Sequence, residues 1–132
     1  MNPQLFIREF FAVAYFIVGL SHLIHPRLWT DHFRSVLARP DGPFLIALYA
    51  GPLGLTIVLL HNVWVLGIPV IVTLVGWGML IKAGAYLLCP GVVTRLAPEK
   101  IRGPKQFIAA GIGCLAVSIP VGIDLLVDLA AT

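Results

Sequence analysis

Long apolar stretches alternate along the chain with short polar or basic connections. Four stretches have the length that a bilayer demands: residues 5–24, 44–60, 69–88 and 106–123. A helix needs about 20 apolar residues to cross roughly 30 Å of hydrocarbon. The second and fourth stretches carry no charge, and the third carries only Lys82. The first carries Arg8 and Glu9 near its start. Lipid offers no partners to backbone N–H and C=O groups, and four strands cannot close a barrel, so each stretch is expected to be helical. The pattern predicts an all-α protein. It is an integral membrane four-helix bundle forming a single membrane domain over residues 1–132. The opening stretch lacks a basic start and a small-residue cleavage site, so it is expected to be a span and not a signal peptide.

Composition agrees with the pattern. Of 132 residues, 59% are hydrophobic and 11% charged, with a mean hydropathy of +0.97. Soluble domains carry about 25% charged residues, so a soluble monomer, a nucleic-acid module and a disordered chain are excluded.

The cations set an orientation. The connection 25–43 holds Arg27, Arg34 and Arg39, and the connection 89–105 holds Arg95, Lys100, Arg102 and Lys105. The middle connection, 61–68, holds neither lysine nor arginine. The positive-inside rule places the basic side in the cytoplasm, with both termini and the His61 turn outside.

From Arg27 to Arg39, Leu28, Trp29, Phe33, Val36 and Leu37 share one helical face, while Arg27, Thr30, Asp31, Arg34 and Ala38 share the other. This is a basic amphipathic interfacial helix after span one, with Trp29 at headgroup level. Asp31 can pair with Arg27 and Arg34, for about 0.2–0.5 kcal/mol each. The helix serves either anionic-lipid recognition or topological anchoring. Arg27, Trp29, Arg34, Arg39, Arg95, Lys100 and Arg102 are the expected headgroup contacts.

A weak repeat appears at a shift of 64 residues, which aligns Ile17 with Ile81, Leu23 with Leu87, Pro26 with Pro90 and Thr30 with Thr94. Each half is a span, a basic connection and a return span, which makes the repeat a parallel one. Small residues mark contact faces in lipid. The candidates are Ala47-xxx-Gly51, Ala50-xxx-Gly54, Ala109-xxx-Gly113, and the Gly76 and Gly78 pair. Pro52 and Pro120 are expected to kink their spans toward protein.

Candidate chemistry is sparse. Lys82 is an ionisable group inside a span. It serves an ion path or an anionic substrate group, or it snorkels across the remaining ~9 Å to the headgroups. Arg8 with Asp124 or Asp128 would tie the two ends of the chain together on the outer side. His22, His25 and Cys89 are the only conceivable soft metal site, at the cytoplasmic rim. Cys89 and Cys114 read as small buried hydrophobes. His61-Asn62-Val63-Trp64 is either a helix cap with an interfacial anchor or an outward binding site. There is no Ser-His-Asp order, paired mid-membrane carboxylates, phosphate loop or zinc spacing. No enzyme activity and no cofactor are expected.

Leu60-His-Asn-Val-Trp-Val65, Val72-Thr-Leu-Val-Gly-Trp77 and Leu80-Ile-Lys-Ala-Gly-Ala-Tyr-Leu-Leu-Cys-Pro90 resemble an uncharacterised family of small bacterial four-span integral membrane proteins. The resemblance implies a multi-pass protein of the bacterial inner membrane. It singles out His61, Asn62, Trp64, Trp77 and Lys82 as candidate pathway or ligand contacts. It brings no activity, cofactor or substrate. Where such proteins carry glycine after the lysine of span three, this chain has Ala83.

Three functions fit these features. One is a homo-oligomeric channel or transport-type protein, with its path between subunits. Another is a non-catalytic accessory or scaffold subunit of a larger membrane complex. The third is a haem or metal anchor. The expected partners are anionic lipids on the cytoplasmic side and either a second copy or another membrane protein, and no nucleic acid.

Overall fold

The structure is a computed structural model that describes residues 2–132, apart from the side chains of residues 97–100. Six helices follow one another: α1 (Pro3–Ile24), α2 (Pro26–Leu37), α3 (Gly42–Leu60), α4 (Ile68–Leu88), α5 (Pro90–Lys100) and α6 (Pro104–Ala130). Every one has proline in its first turn. There the missing N–H costs nothing and the fixed φ suits the helix. α1, α3, α4 and α6 are long and apolar enough to cross a membrane. The protein is thus a multi-pass, all-α membrane bundle, with α2 and α5 as short helices at one end.

α6 continues past the apolar stretch that ends at residue 123, through Asp124 and Asp128 at helical spacing, to Ala130. Arg8 of α1 meets both carboxylates, which removes the electrostatic reason for the helix to stop.

The repeat is visible in the backbone. His25 (φ −123°, ψ 51°) and Cys89 (φ −128°, ψ 51°) break the chain in the same way. Each donates its N–H one turn back, to Ser21 O and Ala85 O, at 2.9 Å. Each precedes a proline, which disfavours helical ψ in the residue before it. Apart from the repeat, Gly67 precedes α4 and Gly103 precedes α6 at φ 147° and 146°, in a region that is essentially closed to residues with a Cβ.

The two halves exchange partners. α1 packs along α6 and α3 along α4, and these pairings dominate the fold. The first helix of each half thus lies on the last helix of the other. Missing side chains make both contacts possible. A Cβ on Gly19 would lie 3.1 Å from Gly111 O, and one on Gly111 would lie 2.9 Å from Gly19 O. In the other pair, a Cβ on Gly54 would lie 2.9 Å from Gly76 O. Close backbone approach of this kind replaces the hydrophobic drive that lipid removes. Phe11, Ile57, Val72, Val121 and Leu125 form the central core.

Several sequence expectations need correction. Ala109 and Gly113 are exposed, and a Cβ on Gly113 would touch nothing. Gly111 and Ser118 take the contact instead. Pro52 is exposed, so its kink does not face protein. Thr30 is buried, with its hydroxyl bound to Pro26 O at 2.8 Å, whereas Leu28 is exposed. The rest of the expected face holds: Trp29, Phe33, Val36 and Leu37 point inward, while Arg27, Asp31, Arg34 and Ala38 are exposed. Asp31 forms no ion pair among the described residues. Cys89 is exposed, not buried.

Candidate functional site

Pairing by exchange leaves the α1–α6 and α3–α4 units joined by thinner seams. A groove of about 510 Å³ opens between them, within the 300–1,000 Å³ range typical of ligand sites. Equivalent positions of the two halves meet there. Tyr15 donates its hydroxyl hydrogen to Met79 Sδ at 3.3 Å, 64 residues away. Val18 and Lys82, related by the same shift, both line the groove. The repeat thus places one cation opposite one valine.

The groove is graded along its length. Phe10, Phe11, Leu53, Ile57 and Met79 line an apolar portion. Tyr49, Lys82, His22, His32 and Trp29 line the portion toward α2. Lys82 Nζ lies 5.5 Å from the centre of the Tyr86 ring, within reach of a cation–π contact. The ion pairs among the described residues involve Arg8 and Arg39 only, so no carboxylate pairs with Lys82 among those residues. Lys82, Tyr49 and Phe10 are exposed, which leaves the groove open at its side.

α2 closes the basic end of the groove. Trp29 stacks on His22 with ring centres 4.2 Å apart, and its indole N–H donates to Ser21 Oγ at 3.0 Å. Phe33 and Phe107 continue the stack. His22 Nδ1 lies 2.7 Å from Val18 O. The sequence placed Trp29 at headgroup level as an anchor. In the fold it also forms a wall of the groove, at the end of the bundle where α2 lies.

His22, His25 and Cys89 do not converge, and no metal-holding group of three His, Cys, Asp or Glu occurs among the described residues. His22 is committed to its stack and to a backbone carbonyl. Arg39 binds Asp41 through Nε and Nη2 at 2.9 and 2.8 Å, so its guanidinium is already engaged. The hydrogen bond from Arg39 holds the Asp41 carboxyl below its ordinary range. Arg34 Nη2 donates to Ile101 O at 3.2 Å. Arg27, Arg95 and Arg102 are exposed at the same end. The Lys100 side chain lies outside the described residues.

The His61 turn lies at the opposite end. Asn62 Oδ1 accepts hydrogen bonds from Trp64 Nε1 at 2.8 Å and Trp77 Nε1 at 3.3 Å. Thr73 Oγ1 accepts from the Val63 N–H at 3.0 Å and lies 3.2 Å from His61 O. Asn62, Trp64 and Trp77 therefore lock the turn onto α4, and none of them lines the groove of Lys82. Thr73, unremarked in the sequence, is the centre of this lock. Its period within α4 carries no signal that separates it from a core threonine.

His61 is buried, with Nε2 3.1 Å from Pro69 O. Burial, reinforced by the charge of Arg8, lowers its pKa from the usual 6.5, although the Pro69 bond partly opposes this. The unfolded chain therefore binds the proton more readily. Stability is complete above the unfolded value and falls as pH drops below about 6.5. Thermal unfolding across this window should show the slope in wild type and lose it in His61→Gln.

Arg8 of α1 pairs with Asp124 through Nη2 and with Asp128 through Nη1, the latter at 3.2 Å. These contacts fasten the start of the chain to its end. No family model, no curated protein and no solved structure matches the chain, so the resemblance of its middle segment is left without a family to support it.

Proposed function

We propose that this is a non-enzymatic, transport-type protein of the bacterial inner membrane that takes an amphipathic anion into its groove from the cytoplasmic leaflet. The observation that carries this reading is Lys82, a cation without a carboxylate partner among the described residues, lining an otherwise apolar and aromatic groove. The apolar portion suits an acyl or isoprenoid tail, and the lysine suits a carboxylate or phosphate head. Arg27, Arg95 and Arg102 at the basic end would concentrate anionic headgroups near the entrance. The path then belongs to one chain and does not require a pore between subunits.

Native mass spectrometry of protein released from nanodiscs tests the reading. Wild type should retain an amphipathic anion, and Lys82→Met should retain about tenfold less, as expected for loss of a hydrogen bond to a charged group. Equal retention would remove Lys82 from the site.

A second reading, as an accessory or scaffold subunit, rests on Gly78, Gly84 and Gly113. Added Cβ atoms at these positions meet nothing within 4 Å. Such faces would admit close approach by a partner helix. Co-purification of a second polypeptide, lost on Gly113→Leu, would favour it.

A further inference from the structure

Two buried polar atoms at the outer end lack partners among the described residues: Arg8 Nε and His61 Nδ1. Both side chains line one pocket of about 250 Å³, together with Asn2, Gln4, Pro69 and Asp128. Their unmet needs are complementary. Pro69 O can only accept, so the neutral His61 carries its proton on Nε2 and presents a lone pair at Nδ1. Arg8 spends Nη1 on Asp128 and Nη2 on Asp124, which leaves Nε–H as a donor without an acceptor. Buried polar groups of this kind are normally satisfied.

The pocket's charges select the ligand. An anion would meet Asp128 and bring no proton for Nδ1. A cation would meet Arg8 and offer Nε–H no lone pair. A hydroxyl satisfies both, because its oxygen accepts while its hydrogen donates. We propose that this pocket binds a small neutral hydroxyl-bearing molecule, bridging Arg8 Nε–H to His61 Nδ1. Its source is water or a small polyol from the outer side. This site is independent of the groove and of the function proposed for it.

The test is nitrogen-15 NMR of histidine-labelled full-length protein in nanodiscs at neutral pH. The expected result is a His61 Nδ1 that carries no proton but accepts a hydrogen bond from a solvent-exchangeable hydroxyl. Arg8→Lys keeps the charge but lacks the Nε–H, and should weaken that bond while the His22, His25 and His32 signals stay in place. Glycerol is the polyol probe. A saturable shift of the His61 signal would assign the site to polyols, and a persistent water cross-signal without such a shift would assign it to water. A protonated Nδ1, a lone pair with no bond, or a direct bond from Arg8 Nε would each overturn the proposal. The wild-type spectrum decides this even if Arg8→Lys fails to fold.

Discussion

Replacing Gly54 with valine is expected to break the α3–α4 pair. A Cβ at this position would lie 2.7 Å from Leu80 N and 2.9 Å from Gly76 O. Both are backbone atoms of a helix, so no side-chain rotation relieves the overlap, and the helices must part. Overpacking in a tight core costs about 1–3 kcal/mol and occasionally more. This site should lie at or above the upper end, because the close approach is itself the source of association in lipid. Gly113→Val is the control, since nothing lies within 4 Å of its added Cβ, and a change of about 0.5 kcal/mol or less is expected. Thermal unfolding in mild detergent, followed by circular dichroism, compares the two. Equal losses would refute the pairing.

Arg8→Met should carry the second largest cost. It leaves Asp124 and Asp128 charged without their cation in the last turns of α6. Breaking a buried pair costs about 3–5 kcal/mol. The Arg8 side chain is 13% exposed and that of Asp124 32%. Partial access to water brings the expected loss to about 2–3 kcal/mol. Asp124→Asn in the same chain should recover part of it, because it removes one of the stranded charges. The same unfolding assay reads both variants. A double variant no more stable than Arg8→Met would mean that Asp124 is not the stranded partner.

The spans were legible because hydropathy and length alone dictate them, and the helix starts because proline marks each first turn. Which glycines touch was not legible. Ala109-xxx-Gly113 and Ala50-xxx-Gly54 look alike as strings, yet only the second lies in a helix contact. The choice depends on the rotation of each helix about its axis. Hydropathy does not encode that rotation when every face is apolar. The interfacial helix forms where the sequence puts it, but Leu28 and Thr30 depart from their expected faces for a related reason. Thr30 satisfies its hydroxyl on Pro26 O, and so it can be buried on a face that a polarity count assigns to solvent. Lys82 was visible at once as a charge in a span, but its groove was not. That groove arises from partner exchange between halves, and the repeat of 64 residues only hinted at it. Asn62, Trp64 and Trp77 stood out as a string because they lock a turn, not because they share a site with Lys82.

The most direct test of the groove uses Trp29, which lines it, as the reporter. In a Trp64→Phe, Trp77→Phe background it is the sole tryptophan of the three in the chain. A brominated fatty acid and the matching brominated alkylammonium are titrated into nanodiscs, and the quenching of Trp29 is recorded. The carboxylate is expected to quench at about tenfold lower concentration than the ammonium, and Lys82→Met to abolish the difference. Equal quenching by both amphiphiles, or a carboxylate preference that survives Lys82→Met, would contradict it.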